Sequence, residues 1–418
     1  MKYQRIKGTF DILPDESPKW IHLEKVVREV MRRFNYSEVR PPLFEMTELF
    51  ARGIGEGTDL VSKEMFTFTD MGGRSLTLRP EATASVVRAY IEESLGKQAP
   101  LTKVFYIGPM FRQEKPQKGR QRQFHQFGAE AIGAADPRID AEIIAISVQI
   151  LQECGIEKYE VAINSVATPE IRARHRVELL KYIEPRAADL SAVDREKITR
   201  NPLRLFDSKE KSTREIMLDA PLLSKFYDDA VNRDFEIVMA ALEKLGVPFV
   251  VDPRLVRGLD YYTRTAFEVR SSLLGAQDAL SGGGRYDLLV AELGGDPTPA
   301  VGFAAGMERT LLAMEATGFK GLEASLLDLF IVAVNEDERR EALTLAGRLR
   351  EAGISVDLDF LGRSQKAQMK EAARQRARFA ILVFSDDLAT QQYTIKNLAS
   401  GEQERLPYAG LMRVIVSV

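Results

Sequence analysis

The sequence predicts an α+β body, an antiparallel sheet flanked by helices, with a helical insertion and a small α/β domain at its end. Three observations predict it. Helix-like and strand-like segments alternate through the first 150 or so residues, with hairpin-style turns between strands. Between about residues 169 and 246 the chain becomes charged and helix-rich, and strands then resume. The last segment reads strand–helix–strand–helix–strand, the pattern of a small domain built on a parallel sheet. A chain of 418 residues exceeds one ordinary core, so several domains are expected.

The elements follow in order. "SPKWIHLEKVVREVMRRFNY" opens a helix: Ser17 can cap, Pro18 suits the first turn, and Trp20, Leu23, Val27, Val30 and Phe34 form an apolar stripe. "SEVRPPLFEM" reads as one edge strand, because Pro41 and Pro42 cannot donate to a central ladder. "EMFTFTDMGGRSLTLRPEATASVVRAYIEESL" gives two strands around a Gly-Gly turn and a helix after Pro80. A hairpin around residues 108–130 follows, then a helix over 138–153. After the insertion, "PFVVDPRLVRGLDYYTRTAFEVRSS", "SGGGRYDLLVAELGG" and "PAVGFAAGMERTLLAMEATG" complete a body spanning 1–325, with "ATGFKGLEAS" as the linker. Residues 326–418 form the final domain, with helices at 336–352 and near 364–377.

Composition narrows the function. Lys plus Arg total 58 against 61 Asp plus Glu, so any nucleic-acid contact must come from local patches. One cysteine, Cys154, excludes an internal disulfide and a cysteine-rich zinc site. Three histidines (His22, His125, His175) argue against a histidine metal cluster. No apolar run reaches membrane-spanning length, and "MKYQRIKGTFDILPDE" lacks a signal-peptide core. A cytoplasmic protein without a membrane partner is expected.

The segment "GPMFRQEKPQKGRQRQFHQFGAE" carries the densest chemistry. Arg112 and Glu114 share a face, as do Phe124, Gln126, Gly128 and Glu130 on the return strand. Gln126 and Glu130 lie about 13 Å apart at about 3.3 Å per residue, and Gly128 between them leaves a hollow for a ligand. The loop between holds Lys115, Lys118, Arg120 and Arg122 against Glu114, a mobile flap suited to polyphosphate or an RNA end. An exposed basic hairpin accounts for this segment equally well. Glu81 and Thr83 sit where a strand meets a helix, placed to receive an ammonium group, or simply to stabilise the helix start. Arg257 precedes a glycine and the pair Tyr261 and Tyr262, which could line a pocket or fill a core. "SGGGRYD" with Tyr286 fits neither a P-loop nor a dinucleotide fingerprint, and most such glycine runs are tight turns. Arg309 follows "GFAAGME" on a helix, where a solvated arginine is usual.

Taken together, the order of Pro41 after a helix, Arg112 with Glu114, and Arg309 after "GFAAGME" resembles the three motifs of class II aminoacyl-tRNA synthetases. "RGLDYYTRTAFEV" and "GGGRYD" resemble the two signature peptides of the histidyl-tRNA synthetase family, and "KGTFDILP" and "TIKNLASGEQ" look like the same family. The resemblance spans essentially the whole chain. It implies a ligase that activates L-histidine with ATP and Mg2+ and transfers it to its cognate tRNA, working as a homodimer with a C-terminal anticodon-binding domain.

Residue by residue, the resemblance implies that Glu81, Thr83 and Gln126 hold the histidine α-amino group. Glu130 and Tyr262 read the imidazole, with Tyr261 and Tyr286 completing the pocket. Arg112 grips the α-phosphate and the amino-acid carboxylate, beside Glu114. Arg257 lies against the α-phosphate and Arg309 against the γ-phosphate. Arg120, Gln121 and Arg122 are placed for the tRNA acceptor end, and no protein ligand is assigned to the metal. Ala82, Arg264 and Leu288 stand where the family often has glycine, beside these contacts rather than on them. The alternative is a noncatalytic relative that serves as regulatory subunit of ATP phosphoribosyltransferase. It commonly loses the arginines and the tail that this chain keeps.

Overall fold

The computed structural model describes residues 3–55, 58, 60–117, 119–275, 278–319 and 327–416. They form two compact units. The expected boundary at 325/326 and Lys118 of the basic loop lie outside the described residues.

In the larger unit the strands are β1 (Ser37–Glu38), β2 (Phe44–Met46), β3 (Phe66–Thr69), β4 (Ser75–Leu78), β5 (Thr102–Phe111) and β6 (Gln123–Ile132). After the helix Arg138–Glu153 come β7 (Glu160–Ser165), β8 (Val250–Val251), β9 (Thr263–Arg270), β10 (Ala279–Arg285) and β11 (Ala300–Gly306). Eight of them form one sheet in the order β1-β5-β6-β11-β10-β9-β7-β8. The pairings from β5 to β7 are antiparallel, and a two-residue strand lies parallel at each edge.

Strand alternation divides this sheet into two faces. Phe127, Ala129, Ala131, Phe267, Val269, Phe303 and Ala305 point into a core shared with the helices Ser17–Arg33, Arg138–Glu153 and Met307–Ala316. Each fully buried aliphatic or phenyl group there contributes about 1.5–3 kcal/mol. The helix stripe of Trp20, Leu23, Val27 and Val30 is buried as expected, with Phe34 packed at its margin. Ser17, however, is the first helical residue and its hydroxyl donates to the Leu13 carbonyl, so it does not cap the helix. The opposite face of the sheet carries Gln126, Glu130 and the site.

Two further expectations are corrected. The single edge strand at 37–46 is two strands in different sheets: β1 joins the main sheet, while β2 joins the hairpin of β3 and β4 in a separate three-stranded sheet. Pro41 and Pro42, without N–H donors, occupy the break. The helix-rich stretch 169–246 packs in two parts. Its own core of Leu179, Ile183, Leu190, Leu205 and Met217 lies before residue 220, whereas Phe235, Val238 and Leu242 of the helix Asp229–Lys244 pack into the main core. Finally, "SGGG" is not a turn. It runs through the middle of β10, paired on both sides.

The smaller unit contains β12 (Leu329–Val332), β13 (Val356–Leu358), β14 (Phe379–Leu382), β15 (Gln392–Asn397) and β16 (Gln403–Pro407), in the order β13-β12-β14-β15-β16. The first three are parallel, as expected; β15 and β16 run antiparallel, so the sheet is mixed. The hairpin turn at "SGE" makes the reversal possible without a crossover helix. Helices Glu336–Glu351 and Gln365–Arg374 match the reading, and a closing helix, Tyr408–Val416, was not foreseen.

Candidate active site

A cleft of about 460 Å³ opens on the non-core face of the main sheet. Glycines make it possible. In register across the sheet, Glu130 pairs with Gly302, and Glu268 pairs with Gly282. A Cβ on Gly302 would collide with the Glu130 carboxylate, and one on Gly282 with the Arg257 guanidinium. Glycine is poor strand material, and here it clears room for two charged side chains to lie flat on the sheet. Gly128 behaves differently from expectation. Its missing side chain leaves space that the Tyr106 phenol occupies, so there is no hollow for a ligand at that point.

One part of the cleft lining is built from carboxylates and phenols. Glu81 accepts from the backbone N–H groups of Thr83 (2.6 Å) and Ala84 (2.9 Å), so the helix-start geometry holds. Each oxygen keeps acceptor capacity beyond that one bond, and the residue lines the cleft. Glu130 accepts from the Thr83 hydroxyl at 2.8 Å and the Tyr286 phenol at 2.5 Å. Burial pushes its carboxyl up to about 8, against the pull of those two donors. Burial likewise raises Glu81, opposed by its backbone donors. Tyr261 packs its ring 4.7 Å from Tyr262 and 5.7 Å from Tyr286. Both residues of the pair lie just before β9 rather than within it. Gln126 presents Oε1, shielded from water and without a hydrogen-bond partner. An unmet buried acceptor of this kind marks a place for a donor.

Another part is cationic. Arg112 stands 5.1 Å over the Phe124 ring and donates Nε to the Pro80 carbonyl at 2.9 Å. Arg257 pairs with Glu268 at 2.5 Å, and its Nε has no partner. Arg309 is fixed by the Gly119 carbonyl at 3.2 Å and the Ala279 carbonyl at 2.8 Å. Burial pulls both Arg112 and Arg309 below the usual guanidinium range, with Arg120 adding to the effect at Arg309. Burial acts on Arg257 in the same sense, but Tyr262 and Glu268 outweigh it and leave this group raised. Three arginines distant in sequence line one cleft, fixed in advance of any anion.

The basic loop divides. Arg120 lines the cleft and pairs with Glu114 at 3.2 Å. Arg122 turns the other way: its backbone N–H donates to the Gly8 carbonyl, and its side chain packs on Gly8. Gln121, between them, is half-buried. Sequence reading missed Arg204, which reaches the cleft from the insertion, and Glu308, which accepts from the His125 backbone N–H at 2.8 Å. The charge of "MERT" was the only signal for Glu308. Of the departures, Arg264 adopts φ of +54°, the left-handed region that favours glycine, and its guanidinium is held by Asp234. Ala82 is buried at the helix start and Leu288 is exposed.

Comparison with known proteins gives the family. A family model described as histidyl-tRNA synthetase matches residues 8–310, and one described as anticodon binding domain matches 328–417. The histidine–tRNA ligase of Halothermothrix orenii is 47% identical, over 97% of this chain and 97% of its own length. That of Chloroherpeton thalassium is 48% identical, over 98% and 97%. The crystal structure of apo histidyl-tRNA synthetase from S. aureus superposes with a TM-score of 0.83 at 38% identity, covering 99% of each chain. With matches that run from the glycine ahead of the first helix to the final helix, the chain belongs to the histidyl-tRNA synthetase family.

Proposed function

We propose that this chain is a histidine–tRNA ligase whose first step occurs in the cleft described above. The observation that carries the reading is that Arg112, Arg257 and Arg309 line the same cleft as Glu81, Gln126 and Glu130. A carboxylate oxygen of histidine attacks the α-phosphorus of ATP, the bond to the β-phosphate oxygen breaks, and pyrophosphate leaves. The reaction needs no protein nucleophile. It needs fixed positive charge where negative charge moves from the α-phosphorus to pyrophosphate. Arg112 and Arg257 suit the α-phosphate, and Arg309 the outer end. Glu81, Thr83 and Gln126 would take the ammonium group, and Glu130 with the three tyrosines the imidazole. A ribose hydroxyl at the tRNA end then attacks the activated carbonyl, forming an ester and releasing AMP, with Arg120 nearest the incoming RNA.

Among the described residues, no group of three or more His, Cys, Asp or Glu side chains is arranged to hold a metal ion. Magnesium at such sites rides on substrate phosphates with one or two carboxylates. Glu114, which lines the cleft, fits that part. When bound, the ion would neutralise charge on the outer phosphates.

A homodimer is the fitting assembly. Leu43, Phe44, Met46 and Phe68 on and beside the three-stranded sheet are exposed, with Phe44 and Phe68 in edge-to-face contact at 6.4 Å. Such an apolar face calls for a partner. The reading places the enzyme in the cytoplasm. The regulatory-subunit alternative is not favoured, since relatives matched over nearly their full length carry the name histidine–tRNA ligase.

Pyrophosphate exchange tests the proposal. Histidine, ATP-Mg and labelled pyrophosphate should put label into ATP without tRNA; no label with folded protein overturns it. Gln126→Leu gives a sharper check, because its two effects have opposite signs. Removing an unmet buried acceptor should raise the unfolding free energy by about 1 kcal/mol, while the KM for histidine rises roughly tenfold. Thermal melts and exchange kinetics on the same preparation measure both.

A further inference from the structure

The chain between β8 and β9 carries Arg257, Tyr261 and Tyr262, yet it has no regular structure of its own. Side chains from elsewhere hold it. Asn164 of β7 donates to the Leu255 carbonyl at 2.9 Å. The other clamps come from the insertion. Arg172, on its first helix, donates to the Tyr262 carbonyl at 2.9 Å. The Asn201 amide donates to the Asp260 carboxylate at 3.0 Å, and Arg204 donates to the Gly258 carbonyl. Backbone bonds add two ties at the described residues: the Asp252 N–H donates to the Ile163 carbonyl at 2.9 Å, where the segment begins, and the Asp260 N–H to the Ile54 carbonyl at a long 3.3 Å.

Two features make Asn201 and Arg204 rigid fingers rather than loose surface groups. Each immediately precedes a buried residue, Asn201 before Pro202 and Arg204 before Leu205, the latter in the insertion's own core. Asn201 also joins the end of the helix Ala192–Arg200 to the short turn Pro202–Asp207. On the receiving side, Gly258 has open space where a side chain would be, so nothing packs there to take over from Arg204. Gly258 is covalently next to Arg257. A shift of its carbonyl moves the backbone from which that guanidinium is aimed.

We infer that Asn201 and Arg204 are positioning residues for histidine activation: through Gly258 and Asp260 they hold the loop that aims Arg257 at the reacting phosphate. The placement of the insertion therefore sets the rate of the first step even without tRNA. This inference rests on the ligase reading above.

Exchange kinetics without tRNA test it, together with deuterium uptake of the peptide covering 255–262. Arg204→Ala and Asn201→Ala should each lower the exchange kcat roughly tenfold to a hundredfold, the cost of a misplacement near 1 Å, with KM for histidine and ATP nearly unchanged. Arg204→Lys, which keeps a donor for the Gly258 carbonyl, should recover most of the rate. Asn201→Ala and Asp260→Ala should be strongly non-additive, because they remove the same bond. Uptake at 255–262 should quicken in Arg204→Ala while β9 stays protected. An unchanged kcat overturns the inference. So does a raised KM for ATP at full kcat, which would make Arg204 a nucleotide contact. A wild type without exchange activity defeats the ligase reading instead, and the deuterium result still decides whether the insertion holds the loop.

Discussion

Arg257→Ala should slow histidine-dependent pyrophosphate exchange by roughly a hundredfold to a thousandfold, the usual cost of removing one fixed charge at a reacting centre. Histidine affinity should stay within roughly fivefold of the wild type, under about 1 kcal/mol. The asymmetry follows from where the group lies. In the proposed reading Arg257 serves the phosphate, while Glu81, Gln126 and Glu130, which line the same cleft, hold the amino acid. The substitution should not unfold the site. Glu268, which pairs with Arg257, keeps a second partner in Arg270 at 2.9 Å, so no buried carboxylate is stranded. Gly282, cleared for the guanidinium, leaves only a small void behind. Single-turnover formation of histidyl-adenylate separates the effects: a loss confined to the chemical step supports the assignment, and equal loss of binding and rate makes Arg257 structural.

What the sequence made legible, and what it did not, follows from range. Gln126 and Glu130 belong to one strand, where a period of two is enough to place their face, while Arg112 and Glu114 lie just past the end of β5 and still line the cleft. Joining them to Arg257 and Arg309 took a resemblance, because no local pattern reports a distance between residues 145 apart along the chain. The glycines show the opposite failure. "SGGG" reads locally as a tight turn, yet the role of Gly282 lies across the sheet, where it admits Arg257, as Gly302 of the neighbouring strand admits Glu130. Gly128 followed the same local rule to the wrong result, since only the fold reveals that Tyr106 fills its space. Arg204 was hidden altogether. It sits in a charged helical stretch, and only the folding of the insertion onto the signature loop distinguishes it from its solvated neighbours.

Glu130→Gln should produce two large effects of opposite sign, both traceable to one buried carboxyl. In the free enzyme its pKa is pushed up to about 8 from an ordinary 4.5, because burial disfavours the charge more than Thr83 and Tyr286 favour it. The folded state then holds this proton more tightly than the unfolded chain. Wild-type stability relative to Glu130→Gln is therefore fully present below about 4.5. It falls as pH rises toward 8 and is level above that. At about 1.36 kcal/mol per unit the change amounts to a few kcal/mol, so near pH 8 the glutamine variant should be the more stable protein. Its fold has no reason to change: the amide oxygen can accept from one hydroxyl, and the amide N–H can donate to the other once that hydroxyl rotates. Function should move the opposite way. An imidazole N–H donating to a buried carboxylate makes a charge-assisted bond, and replacing it with an amide should raise KM for histidine about a hundredfold at unchanged KM for ATP. Denaturant unfolding of both proteins from pH 4 to 9, with exchange kinetics at one pH, measures the pair. A stability gap that ignores pH would mean that folding leaves this carboxyl's pKa unshifted, and an unaltered histidine KM would remove the imidazole from Glu130. If both effects appear, the carboxylate is held in an unfavourable place because the substrate needs it there.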